Sequence, residues 1–269
     1  MVFRNHFLEL SYFSRMIRMV LLGSGNVATH FYNALRLSPE VTIIQTYNRK
    51  KIKLHSSQSP DEITDQLNHL VEADVYLLAI SDEAIERISA QLPFTNKLVL
   101  HTSGGIAMKS LAPANRRGVL YPLQSFSKHK EMEYENIPIC VEAEYVKDLS
   151  ILQKIAQEIS SEVYEISSEQ RTYLHIAAVF VNNFSNHLFT IGKNICDTHH
   201  IPFEILSPLI VETAEKAIQL SPEKAQTGPA SRGDSKTIIK HLEHLQNESY
   251  KKIYTLITNE IQSHYGKKL

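Results

Sequence analysis

The residues with the clearest chemistry stand at 23–28, Gly-Ser-Gly-Asn-Val-Ala, directly after the apolar run Val20-Leu21-Leu22. Behind them Phe31, Tyr32, Ala34 and Leu35 recur at helical spacing. Two glycines and a small residue between a strand and a helix suit a dinucleotide diphosphate. Gly23 would make the turn, Gly25 would let the backbone approach the phosphates, and Ala28 would allow close helix–strand packing. The free N–H groups and dipole of a helix N-terminus favour the anion, with Ser24, Asn26 and Val27 beside it. The same string also makes an ordinary tight turn, so the second strand matters. An NAD-binding unit usually ends that strand with Asp or Glu, about 20 residues past the glycines, on the ribose 2′-hydroxyl. Here the stretch reads Gln45-Thr46-Tyr47-Asn48-Arg49-Lys50-Lys51, without an acid. A guanidinium grips a 2′-phosphate through two parallel hydrogen bonds, so Asn48 and Arg49 point to NADP. The competing reading is a solvated basic turn.

Other polar clusters follow apolar runs. Ile80, Ser81 and Asp82 end one, with Asp82 expected as the N-cap of the next helix. His101-Thr102-Ser103-Gly104-Gly105 ends another, and Gln124-Ser125 a third. Ligands bind outside the carboxyl ends of strands in open α/β sheets. Ile80, Ser81, His101 and Thr102 are therefore assigned to the cofactor and Ser103 and Gln124 to the substrate side; a plain polar turn is the alternative for each. Farther on, His175, Asn182 and Asn183 interrupt an apolar helix. They are either satisfied core residues or site residues. A spacing of seven puts His175 and Asn182 on one helical face, and a histidine with an unperturbed pKa near 6.5 suits proton transfer. His175, Asn182 and Ser103 are thus the catalytic candidates, with Asn183 and Thr227 beside the substrate. Thr227 lies in Gln-Thr-Gly-Pro-Ala-Ser-Arg-Gly-Asp, 226–234. There Gly228-Pro229 sets a turn and Asp234-Ser235 can cap a helix.

These clusters need a scaffold. Strand-like runs at 17–22, 41–47, 75–80, 98–101, 118–121, 137–141 and 163–166 alternate with amphipathic stretches, the pattern of a mostly parallel sheet covered by helices. After 168 the pattern turns helical: one long helix over 169–200, a second over 203–220, and a third from 235 to the end. The expected fold is α/β with a second, all-helical C-terminal domain. Its divisions are a tail at 1–16, a nucleotide domain at 17–166 and a helical domain at 167–269. Ile176, Val179, Phe180, Phe184, Leu188, Ile253 and Ile257 are more apolar positions than three helices readily bury, so a homodimer is expected.

Composition excludes several classes. The 269 residues carry a net charge of −1, which offers no field for nucleic acid or an anionic membrane. No apolar run approaches the roughly 20 residues that span a bilayer. Cys140 and Cys196 lie in apolar surroundings, which points to buried free thiols and a cytoplasmic chain. GxSxG and HExxH are absent, and His199-His200 are adjacent, so no metal site is expected.

Taken in order, GSGNVA, YNRK, AISD, HTSGG, YPLQSFS and QTGPASRGD resemble a bacterial family of NADP oxidoreductases of the deazaflavin-dependent type. Its members carry a Rossmann-like domain and an uncharacterised helical domain. Pyrroline-5-carboxylate reductase, prephenate dehydrogenase and the β-hydroxyacid dehydrogenases are wider kin. The resemblance runs from Met16 onward and implies a homodimer through the helical domains and a cleft between the two domains. One departure matters. β-Hydroxyacid dehydrogenases carry Lys four residues before an Asn on the first long helix, and here Ala178 and Val179 stand there. Prephenate dehydrogenases have His where this chain has Tyr121 before Pro122. The proton donor is then His175, His101, Tyr121 or another group. The expected activity is hydride transfer between NADP(H) and a C=O or C=N group of a small polar substrate; a non-catalytic NADP-binding regulator or scaffold is the alternative.

Overall fold

The computed structural model describes residues 16–128 and 130–265; the expected N-terminal tail lies almost wholly outside them. Eight strands form one sheet: β1 (Ile17–Leu22), β2 (Val41–Tyr47), β3 (Ile63–Thr64), β4 (Val75–Leu78), β5 (Leu98–His101), β6 (Arg116–Pro122), β7 (Ile139–Ala143) and β8 (Val163–Glu165). Their order is β3-β2-β1-β4-β5-β6-β7-β8. Every pair is parallel except β6 with β7, which turns back with Tyr121 opposite Cys140. The chain winds outward from β1 to β3 and then returns to β4 on β1's other side, so the winding reverses between β1 and β4.

Alternation along the strands creates two cores. Met19, Leu21, Val75, Leu77, Leu98 and Leu100 face one side, against Ala28, Phe31 and Leu35 of α1 (Asn26–Leu35). Leu152, Ile155 and Ala156 of α3 (Val146–Gln157) join that layer. Val20, Leu22, Tyr76, Leu78 and Val99 face the other side, with Ile85 of α2 (Asp82–Ala90). Strands covered on both faces read as continuous apolar runs, and β4 is buried throughout.

The long helix departs from its expected form. It opens as α4 (Ser168–Ala178), capped by Ser167 in a reciprocal box with Gln170. It then widens into a π-type turn at Val179–Phe184 and resumes as α5 (Ser185–Thr198). The two compact units divide between Phe180 and Val181, beyond the expected boundary at 166/167, because the first turns of α4 belong with the sheet.

In the second unit, Phe203–Leu206 leads into α6 (Ser207–Leu220), followed by the short α7 (Pro222–Ala225) and α8 (Pro229–Arg232). The expected last helix is two, α9 (Ser235–His244) and α10 (Glu248–Tyr265). Asn247 causes the break: its Oδ1 accepts from the amides of Ser249 and Tyr250, starting a new helix. Asp234 caps α9 by accepting from Thr237 N, and Gly233 takes a left-handed φ of 68°. Among the described residues no helix is long and apolar enough to cross a membrane.

Candidate active site

β1 ends at Gly23, whose φ is 137°. A Cβ there would stand 2.0 Å from the Ala79 carbonyl oxygen, so any side chain would part β1 from β4. Gly23 N donates to Tyr47 O and Ala79 N to Leu22 O, joining three strand ends at the point where the winding reverses. Gly25 is the N-cap of α1, with no side-chain cap and no acid in the first turn. Nothing lies within 4 Å of where its Cβ would be. The first amides of α1 therefore open onto free space, as a bound diphosphate requires.

That space is a cavity of about 740 Å³. Gly23, Ser24, Gly25, Asn26, Val27, Asn48, Arg49, Ile80, Ser81 and Thr102 all line it. Asn48 is buried, and its amide holds Ile52 through both N and O, so it shapes the turn that presents Arg49. Asn26 donates to Phe126 O, tying the glycine turn to the segment after Gln124. Arg87 of α2 also lines the cavity, and sequence reasoning missed it. Its position four residues after Glu83 reads as a solvated helix face, and only the sheet topology turns that face toward the cavity. Both arginines are exposed and neither is paired with a carboxylate among the described residues, although Glu83 shares the wall. Open amides, a Gly25 without side chain and two arginines with no carboxylate partner among the described residues fit a phosphorylated dinucleotide.

Beside this cavity Tyr121 OH meets His175 Nδ1 at 3.2 Å, with the rings edge to face. Burial raises the Tyr121 pKa; Cys140 and Asp82 push the same way and Arg171 opposes. The phenol thus stays protonated, and its hydroxyl can donate to or accept from His175 Nδ1 according to the imidazole tautomer. His175 is half-buried. A Cβ on Gly104 would lie 2.7 Å from His175 Nδ1 and 2.7 Å from Tyr121 Cζ. Gly104 is what lets the pair form. A Cβ on Gly105 would stand 3.8 Å from Asp82 Oδ2 and 3.9 Å from His175 Cδ2, which brings the Asp82 carboxylate into the same neighbourhood. Asp82 is not the N-cap expected of it. It is the first residue of α2, behind Ser81, whose side chain makes no cap.

Three expected site residues hold hydrogen bonds to nearby backbone amides. His101 is fully buried and outside the cavity wall. Its Nδ1 accepts from Ser103 N, and its Nε2 has no hydrogen-bond partner. Ser103 is buried, and its Oγ accepts from the amides of Gly105 and Ile106, bending the glycine loop. Gln124 is exposed and folds back to accept from Ser125 N.

Burial, reinforced by the Arg171 charge, lowers the His101 pKa from 6.5 to about 4, against a smaller opposing pull from the Ala107 backbone. The unfolded chain therefore binds a proton below pH 6.5 that the folded chain refuses until about pH 4. Stability is complete above that window and falls as the pH drops through it. At 1.36 kcal/mol per pH unit the full loss is about 3 kcal/mol. Urea unfolding at pH 7 and pH 5 should show most of this fall in the unmutated chain and little in His101→Asn, which keeps an acceptor for Ser103 N. Equal slopes in the two proteins would refute it.

Arg171, 1% exposed, lies under the site. It pairs with Glu142 and donates to Ile106 O and Ser168 Oγ. Ser168 Oγ in turn accepts from Met108 N and donates to Glu142. This network clamps α4, and with it His175, to the loop carrying Gly104 and Gly105.

The second unit holds the remaining expected residues. Asn182 and Asn183 are exposed in the π-type turn, which breaks the 3.6-residue period behind the expected face shared with His175. Thr227 lines a separate groove within the helical unit, among apolar residues. Cys140 and Cys196 are buried thiols, and burial raises Cys140 to about 11. Among the described residues no group of three His, Cys, Asp or Glu is placed to hold a metal.

Comparison with known proteins adds to this geometry. Residues 137–261 match the domain of unknown function DUF2520. No curated protein matches the chain by sequence. A crystal structure from Bacteroides fragilis, named a "putative NADP oxidoreductase", is 34% identical, with a TM-score of 0.80 over 92% of this chain and 98% of that one. Protein TM1727 of Thermotoga maritima is 20% identical, with a TM-score of 0.74 over 93% of this chain and 100% of that one. A pyrroline-5-carboxylate reductase from Streptococcus pyogenes is 13% identical, with a TM-score of 0.54 over 92% and 99%. The last two show a shared fold.

Proposed function

Because the chain belongs to the family of the Bacteroides fragilis protein, we propose that it is an NADP-dependent oxidoreductase moving a hydride to or from a C=O or C=N carbon of a small polar substrate. The observation that carries this reading lies within the sheet unit. An uncapped helix N-terminus shares its cavity with Arg49 and Arg87, neither paired with a carboxylate among the described residues, and the same unit holds the hydrogen-bonded Tyr121–His175 pair.

Gly23 to Val27 hold the diphosphate on the amides of α1. Arg49 grips the 2′-phosphate, and Ile80, Ser81 and Thr102 line the path from β4 and β5. Bound NADP supplies the hydride donor or acceptor. His175 carries the proton that balances hydride transfer: as the imidazolium it gives its Nε2 proton to the reduced substrate and returns to neutral, and in the reverse direction Nε2 takes the proton back, while Nδ1 stays hydrogen-bonded to Tyr121. A second copy of the chain is the expected partner.

NADPH should bind at least tenfold more tightly than NADH by calorimetry. A charged hydrogen bond stabilises by roughly 1.5–3 kcal/mol, so Arg49→Glu should remove most of that preference. Equal affinities in the unmutated protein would overturn the cofactor assignment. A nicotinamide-absorbance assay against carbonyl and imine substrates tests the reaction. Tight NADPH binding without turnover across the panel would favour a regulator or scaffold.

A further inference from the structure

We propose that the substrate carries a protonated amine close to its reacting carbon, held by the Asp82 carboxylate across Gly105 from His175. The reacting carbon is placed at His175 by the oxidoreductase reading, on which this assignment of the amine rests. Asp82 opens α2, and its neighbours Ser81, Glu83 and Ala84 line the cofactor cavity, whereas Asp82 does not. Its carboxylate turns instead toward the glycine loop after β5. A Cβ on Gly105 would have Asp82 Oδ2 at 3.8 Å and His175 Cδ2 at 3.9 Å. Apart from the residues adjoining Gly105, no other described atom comes within 4 Å of that point. Gly105 is itself exposed. A carbon-sized group resting on it therefore touches a carboxylate on one side and an imidazole on the other.

The charge in this space is uncompensated. Among the described residues no cation or hydrogen-bond donor holds the Asp82 carboxylate. Arg171, the cation whose charge reaches Tyr121, is 1% exposed and already paired with Glu142. Asp82 acts on Tyr121 as well, with the opposite sign. An acid in the first turn of α2 suits the helix dipole, but that role does not require it to face His175 across an open glycine. A negative substrate group would be repelled here and an ammonium attracted.

The two side chains then hold different ends of one small molecule. An ammonium offers three donors to Asp82, and the carbonyl or alcohol beside it lies toward His175. In the reducing direction the carbonyl carbon takes the hydride with its electron pair and the carbonyl oxygen takes the His175 proton. The nicotinamide is oxidised, and the ammonium nitrogen keeps all its bonds.

Isopropanolamine, propylene glycol and lactate share a secondary alcohol and differ in the charge beside it: positive, absent and negative. NMR titration of the NADP-saturated protein at neutral pH should show isopropanolamine binding about tenfold more tightly than propylene glycol, with lactate weakest. That is the lower limit for a charge-assisted hydrogen bond, as suits an exposed Asp82. Asp82→Asn and Asp82→Ser should remove the preference and leave affinity for propylene glycol and NADP unchanged, while Asp82→Glu should keep most of it. Gly105→Ala should weaken isopropanolamine with Asp82 intact, because its methyl fills the space between the two side chains. Equal affinity for the three alcohols overturns the proposal, as does lactate binding most tightly or a preference that survives both neutral substitutions. Loss of helical circular dichroism in both neutral variants shows that Asp82 serves the fold, and that result overturns it too. If NADP does not bind, the enzymatic reading fails alone, and the same titrations on the chain without it still decide the role of Asp82.

Discussion

Replacing His175 with Asn should lower kcat by about 10²- to 10⁴-fold, the range supplied by a positioned acid or base, while leaving NADPH affinity unchanged. The split follows from position. His175 meets Tyr121 and the Gly104–Gly105 loop but takes no part in the cavity wall around the glycine turn. Gly104→Ala is the companion experiment. Its Cβ would press on both His175 Nδ1 and the Tyr121 ring, so it should reproduce much of the kcat loss with His175 still present. Single-turnover rates with pre-bound NADPH separate chemistry from binding. A His175→Asn enzyme within threefold of the unmutated kcat would move the proton transfer to another group.

Removing the Arg171 charge should cost about 3–5 kcal/mol of stability, because it leaves the Glu142 carboxylate without its cation in a mostly dry setting. Arg171→Met keeps the bulk of the side chain and isolates the charge. Ser168 and the Ile106 carbonyl would lose a donor as well. The paired substitution Arg171→Met with Glu142→Leu should recover much of the loss, since a well-packed apolar pair of similar volume is often no worse than a buried ion pair. Urea unfolding of both variants measures the difference. A single substitution costing under 1 kcal/mol would mean that the clamp between α4 and the glycine loop is held by other contacts.

The parts of the site that lie close together in sequence were legible without the fold. Gly23, Gly25 and Ala28 had to follow a strand and open a helix, and steric demand ties them to that place: Gly23 abuts Ala79 O and Ala28 is fully buried. Arg49's place on the wall of that cavity was readable for the same reason, as a fixed offset from the glycines at the end of β2. The sequence could not separate ligand contact from backbone bracing for His101 and Ser103, because a polar residue after an apolar strand looks alike in both cases. Burial separates the two cases, and burial belongs to the packed sheet. Arg87 was missed for the opposite reason, since a charged residue on an amphipathic helix looks like solvent-facing surface until the strand order turns it toward the cavity.

By itself, then, the sequence determined the alternating sheet, the helical second half and the glycine turn. Each rests on local steric limits or on the periods of two and 3.6 residues, which act within a few neighbours. Tertiary structure alone decided the rest. Tyr121 and His175 stand 54 positions apart and meet only because α4 is clamped back onto β7 and the loop after β5. Arg171 became a buried charge through partners 29 and 65 residues away. The last helix broke at Asn247 because two backbone amides competed successfully for its side chain. Such outcomes depend on which distant groups share a low-dielectric space, and no spacing along the chain encodes that.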